Sequence, residues 1–163
     1  VGETVIRRMY DKYIKPQSAV VYKHNKDLPP AIICDIDGTL AHMKDRSPFD
    51  WSRVGEDEVD PIIKNLLNAL KEKYTIILVS GRDEVCRENT EKWLRENGVP
   101  HHAAPFMRSE NDNRKDTVIK RELFENYIRY HYNVEFVLDD RNQVVDMWRS
   151  LGLKCLQVAE GDF

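Results

Sequence analysis

The chain has 163 residues, 41% of them hydrophobic and 33% charged, with a formal net charge of −3; this is the size and mixture of one soluble globular domain. The acidic total excludes whole-molecule attraction to nucleic acid or anionic membrane, so a polyanionic partner would need a local basic patch. No apolar run is long enough to span a bilayer, and Arg7 and Arg8 interrupt the apolar stretch that a signal peptide would require.

Residues 4–14 carry Val5, Ile6, Met9, Tyr10 and Tyr13 at helical spacing and predict an amphipathic helix, broken at Pro16. Residues 18–22 read as a short strand, and residues 24–30 as a polar loop ending in two prolines. Residues 1–28 are therefore expected to be an N-terminal helix and linker to an upstream domain, with residues 29–163 as the main unit. Val1 in place of Met is expected to mark a piece of a longer protein.

From residue 31 the pattern alternates. Residues 31–35 are a short apolar run that reads as a buried strand. Asp60 and Pro61 have the chemistry of a helix N-cap and first turn, and Ile63, Leu66, Leu67 and Leu70 mark one face of the helix they open. Residues 75–80 predict a second strand, followed by a charged helix to Asn97 that Gly98 stops. Residues 103–107 predict a third strand. A helix from Lys115 to about His131 follows, with Ile119, Leu123, Tyr127 and Ile128 inward. Residues 135–139 form a fourth strand, Val144, Trp148 and Leu151 a short helix, and residues 154–158 a last strand. Such alternation predicts an α/β fold, a Rossmann-like parallel sheet with helices on both faces. Residues 41–57 leave room for a small flap, and no insertion is long enough for a large cap. The three cysteines, Cys34, Cys86 and Cys155, are scattered and lack CxxC spacing. That argues against zinc or a disulfide framework and for a reducing, cytoplasmic setting.

In open parallel sheets, ligands bind beyond the carboxyl ends of the strands. Three of the expected strands end in reactive residues: AIICDIDGT with Asp35 and Asp37, TIILVSGR with Ser80, Gly81 and Arg82, and EFVLDDR with Asp139, Asp140 and Arg141. Residues two apart in an extended segment point the same way, so Asp35 and Asp37 can serve one site, one attacking and the other moving protons. An ordinary Asx turn after a strand is the plain alternative for this motif alone. Gly38 permits a sharp turn, and Thr39 adds a hydroxyl where exposed N–H groups could hold phosphate. Adjacent acids at Asp139 and Asp140 repel unless a cation neutralises them, and with Asp35 they make a hard oxygen site suited to Mg²⁺. Ser80 can donate to a phosphoryl oxygen. Lys120 by pattern alone is a surface charge.

Together these segments resemble the haloacid dehalogenase-type phosphatase superfamily, whose four motifs are matched in order by DIDGT, VSGR, a lysine on a later helix and LDDR. A closer resemblance, nearly end to end, is to the 3′-phosphatase domain of the phage-type polynucleotide kinase/phosphatase family. It is carried by YIKPQS, DIDGTLA with Met43 and Arg46, VSGR, RKD at residues 114–116, DDR followed by QVV and MW, and GDF. The resemblance implies Asp35 as nucleophile and metal ligand, and Asp37 as general acid–base with its carbonyl on the metal. It implies Ser80 and Lys120 as holders of the phosphoryl group, and Asp140 as direct metal ligand with Asp139 beside it. Arg46 and Arg82 are expected near substrate or phosphate, with Asp116 orienting Lys120 or joining the metal shell. It also implies Mg²⁺ as cofactor, DNA or RNA 3′ ends as substrate, and fusion to an N-terminal kinase domain. This chain holds no G-x-x-x-x-G-K-[ST] phosphate loop of its own. Arg46, Arg82, Arg108, Arg114 and Lys115 are candidates for a basic rim. A membrane is not an expected partner, and a homo-oligomer stays open. A small-molecule phosphatase, a two-metal nuclease and a non-catalytic end-binding module are the competing readings.

Overall fold

The structure, a computed structural model, describes residues 20–162. The helix expected at residues 4–14 lies outside them, as do residues 18–19 of the expected first strand. Residues 20–22 are irregular rather than a strand. They are nonetheless tied down: Tyr22 is buried, and its backbone N–H donates to the Leu151 carbonyl at 2.6 Å.

A five-stranded, all-parallel sheet forms the body, built from β1 (Pro30–Cys34), β4 (Thr75–Asp83), β5 (Phe106–Arg108), β6 (Asn133–Asp139) and β7 (Cys155–Gln157). The spatial order is β5-β4-β1-β6-β7, which puts β1 at the centre with β4 and β6 on either side. Strand alternation divides the core in two. Ala31, Ile33, Ile77, Val79 and Val137 face one cluster, while Ile32, Cys34, Ile76, Leu78 and Leu138 face the other.

Helices cover both faces, as the alternating pattern predicts. The second cluster receives Ile63 and Leu67 of α1 (Pro61–Leu70) and Trp93 and Leu94 of α2 (Arg87–Glu96). The first receives Phe124 of α3 (Asp116–Tyr127) and Val144, Val145 and Trp148 of α4 (Asn142–Ser150). Asp60 caps α1, its side chain accepting from the N–H groups of Ile62 and Ile63, both at 2.9 Å.

Several boundaries differ from expectation, β4 running on to Asp83 and β6 beginning at Asn133 among them. The third strand begins at Phe106, not residue 103, because Pro105 has no N–H to give the ladder. Helix α3 ends at Tyr127, and Tyr127 is exposed, stacked on Phe106 with ring centroids 5.3 Å apart, instead of facing inward. Between β1 and α1 the chain makes one small excursion. It consists of the antiparallel pair β2 (Ala41–His42) and β3 (Glu58–Val59) and a 3₁₀ turn at Trp51–Glu56. This flap stands in the place of a large cap.

Candidate active site

The register of the sheet brings the reactive strand ends level. Cys34 pairs with both Leu78 and Leu138, so Asp35 and Asp139 emerge side by side, and Ser80 lies two residues beyond Leu78. The Asp35 N–H donates to the Leu138 carbonyl at 2.9 Å, fixing that alignment.

Asp35, Asp139 and Asp140 form a buried trio, one carboxylate oxygen from each lying within 4.8 Å of the other two. Lys120 reaches them from α3. Its ammonium donates to Asp35 Oδ1 at 2.7 Å and to Asp139 Oδ2 at 2.8 Å. The lysine that pattern placed on the surface is thus buried at the centre of the acids. Asp139 Oδ2 also accepts from the Trp148 indole at 3.1 Å, and its Oδ1 from the Asp140 N–H at 3.0 Å. Asp140 has a looser partner, the Thr39 hydroxyl at 3.5 Å.

One ammonium faces three carboxylates, and the electrostatics follow. Burial pushes the Asp35 carboxyl well above the usual carboxylate range; Lys120 opposes the shift, while Asp139 and Asp140 add to it. Burial also raises Asp140, with Asp139 beside it adding to the shift. Burial alone would lower Lys120, but the charges of Asp35 and Asp139 outweigh it and raise its affinity for the proton.

Gly38 makes this packing possible. Its φ is +86°, and a side-chain carbon there would lie 2.1 Å from Asp140 Oδ2. On the other side of Asp140, Gly161 presses against the backbone. The Asn142 N–H donates to the Gly161 carbonyl at 3.0 Å, and the Gln157 amide donates to the Asp140 carbonyl at 2.8 Å.

Asp37 is not part of the trio and is the more open acid, its side chain 29% exposed. Arg82 grips it through Nε at 3.1 and 2.9 Å and Nη2 at 2.7 Å, and Arg46 Nη2 reaches it at 3.5 Å. Both guanidiniums are buried, so they face acids in the fold rather than an open phosphate site. Burial disfavours charge on Arg82, but the hydrogen bonds it donates to Asp37 and the charges of Asp37 and Asp57 hold its proton affinity above the ordinary value.

Asp57, the acid between these arginines, is a residue that the sequence did not single out. It sits in the run GEDEVD, where its charge is indistinguishable from solvated neighbours. Ser80 is fully buried, and its Oγ accepts from the Arg82 N–H at 3.1 Å. Asp116 lies outside the trio, paired with Arg108 and with Arg141 at 2.9 Å. Arg108 also donates to the Gly81 carbonyl at 2.9 Å. Of the expected basic rim, Arg114 is exposed but paired with Asp112 and Glu122, and Lys115 is exposed. No helix among the described residues is long and apolar enough to cross a membrane.

Comparison with known proteins agrees with this geometry. Residues 29–163 match the haloacid dehalogenase-type family described as the polynucleotide kinase PNKP phosphatase domain. A protein of Autographa californica nuclear polyhedrosis virus described as a bifunctional polynucleotide kinase/RNA ligase is 38% identical over 152 residues, covering 90% of this chain and 22% of the viral protein. A chain in a solved Pnkp1/Rnl/Hen1 RNA repair complex is 40% identical with a TM-score of 0.84, over 98% of this chain and 54% of that one. The class C acid phosphatase of Bacillus anthracis shares the fold at 19% identity, with a TM-score of 0.63 over 85% of this chain and 70% of its own. The chain thus spans about a fifth of the viral relative and about half of the repair-complex chain.

Proposed function

This chain belongs to the polynucleotide kinase PNKP phosphatase-domain family, a haloacid dehalogenase-type phosphatase family, and on that premise we propose that it is a Mg²⁺-dependent polynucleotide 3′-phosphatase acting through an aspartyl-phosphate on Asp35. The observation that carries the proposal is the buried trio of acids with Lys120 bonded to two of them, and Asp37 held apart on the open side.

The donor set fits Mg²⁺. It is oxygen-only, it carries two more negative charges than Lys120 neutralises, and it leaves coordination positions for water and phosphate. Asp35 and Asp140 would hold the ion, with the Asp37 carbonyl as a further oxygen. Asp139 would serve chiefly to anchor Lys120, because its two oxygens already accept from Lys120, Trp148 and the Asp140 N–H. Bound there, Mg²⁺ supplies positive charge for the oxygens of the phosphoryl group.

The remaining chemistry belongs to the chain. Asp35 attacks phosphorus, and Lys120 aims it while offsetting charge on the phosphoryl oxygens. Ser80, whose Oγ already accepts from the Arg82 N–H, has its own proton to donate to a phosphoryl oxygen; Thr39 and the Gly81 backbone complete the cradle. Asp37 gives a proton to the departing 3′ oxygen, then removes one from the water that cleaves the aspartyl-phosphate. Arg46 and Arg82 orient Asp37, and Asp116 ties Arg108 and Arg141 to the rim. The small flap leaves the mouth open enough for a polymer end. By analogy with its relatives, the domain would work beside a kinase, and in RNA repair.

The test is phosphate release from a 3′-phosphorylated oligonucleotide, with Mg²⁺ and with EDTA, beside a 5′-phosphorylated control, a free nucleotide and the Asp35→Asn variant. Mg²⁺-dependent release from the 3′ end, lost in Asp35→Asn and without strand scission, is expected. Equal turnover of the free nucleotide would redirect the assignment to a small-molecule phosphatase, and full activity in Asp35→Asn would end it.

A further inference from the structure

Behind Asp37 lies a second acid that touches none of the reacting groups. The Asp57 side chain is 1% exposed and accepts from Arg46 Nε at 2.6 Å, Arg46 Nη2 at 2.7 Å and Arg82 Nη2 at 2.6 Å. The same Arg82 Nη2 donates to Asp37, and Arg46 Nη2 also reaches it. Two buried guanidiniums are therefore shared between two acids, one interior and one facing the open side. The backbone of Asp57 is held as well, its carbonyl accepting from the Trp93 indole on α2 at 2.8 Å. Arg46 and Asp57 lie within the flap, on either side of its 3₁₀ turn, and Arg82 is the penultimate residue of β4, so this cluster joins the flap to the sheet.

A guanidinium fork fixes direction as well as charge, but only if its other N–H groups are themselves fixed. Asp57 takes Arg46 Nε and Nη2 and shares Arg82 Nη2 with Asp37, while Arg82 Nη1 is held by the Thr90 hydroxyl at 3.2 Å. Without it, two buried cations would face Asp37 alone, and their forks would turn toward it in whatever geometry best neutralised them.

We propose that Asp57 is a positioning residue for the phosphatase reaction: it holds Arg46 and Arg82 so that they fix the Asp37 carboxyl in the direction from which it delivers its proton to the leaving oxygen. The inference rests on the role given to Asp37 under the proposed function. Its signature is dependence on the leaving group. The 3′ oxygen of a nucleoside departs as an alcohol and needs that proton, whereas p-nitrophenolate departs without one. The quantity to compare is kcat/KM, because it reports the first phosphoryl transfer and not the later hydrolysis, which is common to both substrates.

The experiment measures kcat/KM with Mg²⁺ for a 3′-phosphorylated oligonucleotide and for p-nitrophenyl phosphate, in the wild-type chain and in Asp57→Asn, Arg46→Lys and Asp37→Asn. Asp57→Asn is expected to lose about 100-fold on the oligonucleotide, in the range of general acid catalysis, and only a few-fold on p-nitrophenyl phosphate. Arg46→Lys, which keeps the charge and loses the fork, should show the same split, and it decides the matter if Asp57→Asn does not fold. Equal losses on both substrates in these variants, or no loss on either, would overturn the inference. A wild-type chain inactive on the oligonucleotide, or an Asp37→Asn variant without the split, would instead overturn the underlying reading, and the inference with it.

Discussion

The ammonium of Lys120 donates to Asp35 Oδ1 at 2.7 Å across 85 residues of sequence, in a site where both side chains are about 95% buried. The lysine puts one positive charge against a trio of buried carboxylates, bonded to two of them. Lys120→Met should therefore abolish turnover and destabilise the metal-free protein by about 3–5 kcal/mol, the usual consequence of removing one partner of a buried pair. For a domain of this size that is roughly 2–4 °C per kcal/mol. Thermal unfolding with and without Mg²⁺ checks it: the midpoint should fall, and Mg²⁺ should recover part of the loss. An unchanged midpoint would mean that the acids simply take up protons.

Gly38→Ala should damage the acid trio specifically. The backbone there has φ +86°, and the added methyl would meet Asp140 Oδ2 at 2.1 Å, so Asp140 must move. The strained conformation alone costs about 1 kcal/mol or more. Displacement of Asp140 should raise the Mg²⁺ concentration for half-maximal activity by roughly ten- to a hundredfold, the scale seen when metal-site support is lost. A Mg²⁺ titration of activity that superimposes on wild type would remove Asp140 from the metal.

Stabilisation by Mg²⁺ should grow with pH. Burial raises the Asp35 and Asp140 carboxyls in the folded state above their unfolded values. Their contribution to the metal-free protein is full below the unfolded value of about 4 and is lost as pH rises through the folded values. Protons and Mg²⁺ compete for the same oxygens, so the cation adds most where the protons have left. Melting curves from pH 5 to 8 should show the Mg²⁺-induced shift increasing across the series; a shift that shrinks with pH contradicts this electrostatic account.

The cysteines should be inert in the native state. All three are buried, Cys155 is pushed up to about 12 by burial and then by the charge of Asp139, and burial raises Cys34 and Cys86 as well. Iodoacetamide at pH 8 should label none of them before denaturation and all three after it, read by intact mass. Rapid native labelling of one thiol would show an opening that the packed core does not contain.

Much of the fold could be read from the chain because buried parallel strands are short apolar runs, and here three of them end in conspicuous acids or in SGR. The Asp60–Pro61 start of α1 was equally plain, since its cap is local chemistry. Lys120 was different: only tertiary packing separates it from its charged neighbours Lys115 and Arg121, and only the family resemblance marked it. Asp57 was invisible for the same reason, one acid among four in six residues, distinguished solely by the two arginines that fold over it. The direction of Arg46 and Arg82 was likewise beyond sequence, which places a cation near a site without saying which anion it faces.

The seating of Gly161 against Asp140 also sets an order of events on the ribosome. Asp35 leaves the exit tunnel before Asp140, whose backbone is clasped by Gln157 and Gly161, which emerge more than a hundred positions after Asp35. Asp35 is thus synthesised long before its acid partners can be locked in place. A nascent chain halted before residue 157 would carry a complete central strand and still lack a finished site, so catalytic competence would arrive in a single late step.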